Sequence, residues 1–246
     1  MLPRSIFSSL FALVTIVSAQ AAPAPKDMKL FLLVGQSNMA GRGKVEAQDQ
    51  VENPSIFMLT KDLKWVPAKD PVHFDKPIAG VGLCSEFARE VLKAKPGIKI
   101  GLIPCAVGGT SLDQWKAGGN LYNTAVTRTK AAMENGKLAG ILWHQGESDS
   151  GKPELIASYP DRLDAMVAQL RKDLGAENVP FVMGELIHDH GNHNAANLGL
   201  AKAAQKVPNC TLVSAKDLGK GLHFDSPALR AFGKRYAEAY LKMAKP

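Results

Sequence analysis

Cysteine is scarce, basic residues are never clustered, and no membrane-length apolar run follows the first twenty residues; each lack narrows the reading. Cys84, Cys105 and Cys210 are the 3 cysteines of a 246-residue chain. They cannot all pair, and their spacing matches no small-domain disulfide framework. Cys105 and Cys210 fall in strand-like apolar runs, where a free thiol serves as a small buried hydrophobe, so no obligatory disulfide is expected. Lysine and arginine number 30 against 23 acidic residues, a net charge of +7, yet they are scattered along the chain. That dispersal predicts solvated helix faces and argues against a nucleic-acid partner, whose surface shows a clustered basic stripe. Beyond the N-terminal segment no stretch approaches a bilayer's thickness, so membrane insertion of the mature chain is not expected. Internal repeats and low-complexity tracts are missing as well.

The first residues, "MLPRSIFSSLFALVTIVSAQAA", have the form of a secretory signal peptide over 1–22. Arg4 supplies the early positive charge, Ile6 to Val17 the apolar stretch, and Ala19-Gln20-Ala21 the small-x-small pattern, with cleavage near Ala21 or Ala22. Residues 23–27 form a linker, and 28–246 are long enough for one domain with a substantial core. The expectation is a soluble protein, secreted or periplasmic.

Five nearly continuous apolar runs of strand length recur: Leu30–Val34, Ile98–Pro104, Gly140–Trp143, Phe181–Leu186 and Thr211–Ser214. Unbroken apolarity, rather than alternation, predicts parallel strands covered on both faces. Helix-period segments lie between them at Glu86–Lys95, Leu121–Asn135, Pro153–Leu174 and Asn194–Lys206. A last one, Pro227–Met243, opens after Ser226 as its N-cap. The alternation predicts an α/β sandwich around a parallel sheet, with Ser55–Ala68 as a small inserted hairpin. Ligands of such sheets sit at the carboxyl ends of the strands. That rim holds the unusual residues, in the loops Gly35–Gly43, Ala106–Trp115, His144–Ser150 and Lys216–Asp225.

Ser37, after the first run, is either a helix cap or a nucleophile. Met39 stands where a Gly-x-Ser-x-Gly elbow needs its second glycine, so the α/β-hydrolase fold is not supported. Nucleophilic chemistry needs a base and donors for an oxyanion. His223 is the candidate base; the backbone N–H groups of Ser37 and Gly109 and the Gln145 side-chain amide are the candidate donors. His188, His190 and His193 in "HDHGNH" invite a zinc reading, but a catalytic zinc site normally adds an acidic or distant ligand, so no metal and no cofactor are expected. His190 is read instead as a rim contact to substrate. Trp115, in a glycine-rich loop, is a candidate for stacking on a sugar ring.

"VGQSNMAGRG", "IGLIPCAVGGTSLDQW", "WHQGESD" and "GLHFDS" occur in this order. Together they resemble the SGNH/GDSL hydrolase superfamily in its carbohydrate acetylesterase branch (sialate O-acetylesterase-like and acetylxylan esterase-like domains), over roughly residues 28–243. The resemblance implies a flavodoxin-like three-layer α/β/α sandwich with a five-stranded parallel sheet. It also implies metal-independent hydrolysis of acetyl esters on an oligo- or polysaccharide. Ser37 matches the family nucleophile, Gly109 the oxyanion glycine, and His223 the histidine. Gln145 stands where many members carry asparagine. Gln36 and Asn38, flanking Ser37, are candidate substrate contacts.

One position departs from the pattern. Lys220 stands where most members place an aspartate three residues before the histidine, and lysine cannot accept an imidazole N–H. Glu147 of the Gln-Gly-Glu block could take the acid role, as in some esterases of this branch; Asp217 or Asp225 could substitute; or His223 could act in a dyad held by a backbone carbonyl. The rivals to an acetylesterase are a catalytically silent carbohydrate-binding domain and a general short-chain or aryl esterase.

Overall fold

The computed structural model describes residues 24–244; the expected signal peptide lies outside them. Strand β1 (Met28–Gly35) is the centre of the fold, with every residue buried except Lys29. Its side chains alternate between two cores, as the period of two requires. Phe31 and Leu33 point into one, with Phe87, Phe232, Tyr236 and Tyr240. Leu30, Leu32 and Val34 point into the other, with Tyr122, Leu163, Met166 and Leu170. The Phe31 ring meets Phe87 and Tyr240 edge-on, with centroids 4.9 and 5.0 Å away. Such pairs contribute beyond their buried area.

β1 pairs in parallel with β4 (Lys99–Pro104) on one side and β5 (Gly136–His144) on the other. β6 (Phe181–Gly184) and β7 (Cys210–Val213) continue the sheet in parallel beyond β5. These are the five expected strands, and their order (second, first, third, fourth, fifth) is that of flavodoxin-like sheets. The sheet nevertheless has seven strands and is mixed, which corrects the five-stranded parallel expectation. The Ser55–Ala68 hairpin does not stand apart: β2 (Ile56–Leu59) joins β4 in parallel, and β3 (Trp65–Pro67) closes the edge antiparallel to β2. A three-residue edge strand ending in proline leaves little open ladder for another chain.

A one-turn helix, α1 (Ser37–Ala40), follows β1. Helices α2 (Leu83–Ala94) and α6 (Ser226–Met243) cover one face; α3 (Asn120–Met133), α4 (Pro153–Asp173) and α5 (His193–Lys206) cover the other. The N-cap of α6 is Asp225, one residue before the expected Ser226: its carboxylate accepts the Ala228 N–H at 2.9 Å, while the Ser226 hydroxyl donates to Lys44 O. The three cysteines are free. Among the described residues no helix is long and apolar enough to cross a membrane.

Candidate active site

The end of β1 delivers Ser37. Gly35 makes the exit, with φ +129°, and a Cβ there would fall 2.1 Å from His144 O of β5. Only glycine allows β1 and β5 to run this close where the chain turns. The turn sets Ser37 as the first residue of α1, with its Oγ 3.1 Å from His223 Nε2 across 186 residues of sequence. Beside them a pocket of about 280 Å³ opens, lined among others by Gln36, Arg42, Lys76, Gly109 and Glu147. The backbone N–H groups of Ser37 and Gly109 have no hydrogen-bond partner among the described residues. Gly109, with φ +82°, faces open space, the nearest atom to a Cβ there being Lys76 Nζ at 3.9 Å.

A buried carboxylate holds these loops together. Asp75 pairs with Arg42 at 2.7 Å and accepts the Gly108 N–H at 2.9 Å; the Arg42 and Asp75 side chains are 6% and 1% exposed. Burial alone would raise the Asp75 carboxyl, but the Arg42 guanidinium and the Gly108 N–H outweigh it and hold it below the usual range. Partial burial and the Arg42 charge lower the pKa of His223, with Glu147 pulling the other way. The imidazole therefore stands neutral at pH 7, as a base must.

Glu147 enters the site along a route the sequence did not suggest. Its Oε1 accepts from Asn38 Nδ2 at 2.6 Å and lies 3.4 Å from His144 Nε2. Burial opposes its charge, but His144 and Asn38 prevail and keep it ionised. It makes no hydrogen bond to His223 among the described residues. Neither aspartate replaces it: Asp217, 73% exposed, pairs with Arg235, and Asp225 caps α6. Lys220 is exposed.

Burial, packing and hydrogen bonding set four of the expected site residues, Gln145, Trp115, Asn38 and His190, apart from the Ser37 pocket. Gln145 is fully buried, and its Nε2 already faces Asp149 Oδ2 at 2.7 Å, Thr110 O at 3.1 Å and Gln36 Oε1 at 3.2 Å. Two N–H bonds shared among three acceptors leave none for an oxyanion; Gln145 braces the loops that follow β1, β4 and β5. Trp115 is 1% exposed, its ring edge-on to Trp143 and its Nε1 donating to Thr110 Oγ1, so no face is open to a sugar. Asn38 is likewise buried at 1%, with its amide engaged by Glu147, Leu222 and Phe224. His190 packs on His193 and does not line the Ser37 pocket. Gln36 does line it: its Oε1 is held by Gln145 and the Ser148 N–H, and its NH₂ is unengaged among the described residues.

Sequence reasoning missed Arg42, Asp75 and Lys76. Arg42 lay inside the first motif and could have been asked for a partner. Asp75 and Lys76 belong to the insertion before α2 and carry no local signal, because the tertiary fold alone brings them to the rim. No group of three His, Cys, Asp or Glu side chains among the described residues could hold a metal ion.

Known proteins share this architecture. The family described as carbohydrate esterase, sialic acid-specific acetylesterase matches residues 27–242. A probable carbohydrate esterase of Arabidopsis thaliana, At4g34215, is 34% identical over 247 residues, spanning 89% of this chain and 92% of the relative. Its X-ray structure superposes with a TM-score of 0.81 at 32% identity, covering 88% of this chain and 98% of that one. NanS follows with a TM-score of 0.76 at 20% identity, covering 90% and 98% of the two chains. XAC1771 of Xanthomonas citri, a carbohydrate acetylesterase, gives 0.69 at 21% identity, covering 88% of this chain and 56% of that one. The last two likenesses speak for the fold alone, whereas the family match spans nearly every described residue. The chain therefore belongs to the carbohydrate esterase family of sialic acid-specific acetylesterases.

Proposed function

We propose that the protein is an exported serine esterase that hydrolyses O-acetyl esters on carbohydrate, of the sialic-acid or acetylxylan type, through an acetyl-Ser37 intermediate. The observation that carries this reading is the 3.1 Å contact between Ser37 Oγ and His223 Nε2, beside two unengaged backbone N–H groups. His223 Nε2 takes the Ser37 proton as Oγ attacks the acetyl carbonyl. The N–H groups of Ser37 and Gly109 hold the oxyanion, and the Gln36 amide is the side-chain donor at the pocket. Collapse expels the sugar oxygen, which takes the proton from His223, and a water activated by His223 then releases acetate. Glu147 acts on the imidazolium through its charge, with no direct bond. Lys76, exposed at the rim with no partner among the described residues, favours a sugar bearing a carboxylate.

The test is acetate release from O-acetylated sialic acid and from acetylated xylan, with Ser37→Ala as the control. Wild-type release that Ser37→Ala abolishes is expected; equal behaviour of the two would leave a carbohydrate-binding domain without catalysis. A second reading, a general short-chain or aryl esterase, draws on Ile78 and Leu222, 67% and 47% exposed at the pocket. It predicts faster turnover of aryl acetates than of any acetylated glycan.

A further inference from the structure

His223 rides on an exposed loop with little else to fix it. Asp217, Gly219 and Gly221 all take left-handed backbone conformations, with φ of 69°, 69° and 84°, and residues 219–223 are exposed. A base must nevertheless be held within a fraction of an ångström of its nucleophile.

The Asn38 carboxamide meets the backbone on both sides of the histidine. Its Nδ2 donates to Leu222 O at 3.1 Å, and its Oδ1 accepts the Phe224 N–H at 3.2 Å. Those two bonds bracket His223 as a neighbouring parallel strand would. The second Nδ2 hydrogen goes to Glu147 Oε1 at 2.6 Å. The carboxylate accepts only, so it fixes which end of the amide faces Leu222; a flipped amide would set oxygen against oxygen. Asn38 is also the residue after Ser37, so nucleophile and clamp share one backbone turn.

We infer that Asn38 is a positioning residue that registers the His223 backbone against Ser37, with Glu147 orienting its amide. This rests on the reading of Ser37 and His223 as nucleophile and base. Contrary to the sequence expectation, this arrangement leaves Asn38 no substrate contact, since its side chain is buried and its polar atoms are all engaged.

The test compares wild type with Asn38→Ala and Asn38→Asp. Aspartate keeps the acceptor for Phe224 but loses both donors. Complete labelling by a fluorophosphonate, read by intact mass, counts the competent serines and normalises for any unfolded fraction. Expected is a kcat per labelled site about 100-fold lower for Asn38→Ala, with KM within about threefold, the scale of an ångström misplacement of a catalytic group. Asn38→Asp falls with it. Hydrogen exchange supplies a readout independent of turnover: the Phe224 amide should exchange faster in Asn38→Ala, because Asn38 Oδ1 is its acceptor. Wild-type kcat per labelled site, a KM change with kcat intact, or unaltered Phe224 exchange would each overturn the inference while the esterase reading stands. Wild type that neither labels at Ser37 nor releases acetate would instead overturn the esterase reading, and the inference with it.

Discussion

Asp75→Asn should cost both stability and catalysis, by separable routes. The carboxylate is 1% exposed and faces donors on both sides, Arg42 at 2.7 Å and the Gly108 N–H at 2.9 Å. An amide there must turn its NH₂ toward one of them, placing donor against donor. The Arg42 guanidinium, 6% exposed, is then left with a buried and uncompensated charge. Breaking a buried pair from one side costs about 3–5 kcal/mol. At this chain length that lowers Tm by about 6–20 °C. Catalysis should suffer separately, because Gly108 loses the acceptor that seats the Gly109 amide beside Ser37. Loss of one oxyanion donor is worth about 3 kcal/mol, or roughly 100-fold in kcat. Differential scanning calorimetry and acetate release, each normalised to labelled Ser37, separate the two effects. The double variant Arg42→Met/Asp75→Asn removes the stranded charge and should recover part of the stability but none of the activity. A single variant within about 2 °C of wild type, or a double variant showing the sum of the two single losses, would refute the reasoning.

Three further outcomes are expected. The acid limb of kcat/KM should lie below the ordinary histidine value of about 6.5, because burial and Arg42 lower the pKa of His223 and the neutral ring is the active form; Glu147→Gln should move that limb lower still, since it removes the one group pulling upward. Asp70, buried with its Oδ2 unpartnered, has its pKa raised by burial from 3.8 to about 6. Its contribution is present in full below about pH 4 and is lost as pH rises through 6, so Asp70→Asn should gain about 3 kcal/mol on wild type between pH 4 and pH 7.5 in urea titrations, and a constant difference would refute it. Protein recovered outside the cytoplasm should begin near Ala22 on N-terminal sequencing; a mature chain starting at Met1 would sink the export reading.

The apolar runs made the layers legible because a strand covered on both faces has no polar residues to spare, and all five runs became strands. The hairpin's attachment was not legible. Alternation along Ser55–Ala68 says that two short strands pair, but which edge they extend depends on the register of Ile56 with Ile100, a contact across 44 residues. The meeting of Ser37 and His223 followed from the rim rule and the motif order. Gln145 was misread because residue type names what an amide can donate, whereas its surroundings decide where it donates: the Tyr159 hydroxyl of α4 donates to its Oε1 and so turns its Nε2 toward Asp149 of the same loop. Trp115 failed for a related reason: its loop folds back over Trp143 instead of standing open. Asp75 had no signal, since its importance lies in two partners 33 residues away, one on either side of it in sequence.

The order of the strands has a consequence for how the chain comes into being. β1 is the first strand among the described residues and the central one of the sheet, yet its neighbours are β4 and β5, and the latter is complete only at His144. Until then its eight residues "MKLFLLVG" lack one of the two strands that flank them. A fragment ending before residue 144 lacks both the strand that flanks β1 on this side and the loop that brings Glu147 to the pocket. Assembly dominated by such distant pairings is slow compared with that of a helical bundle.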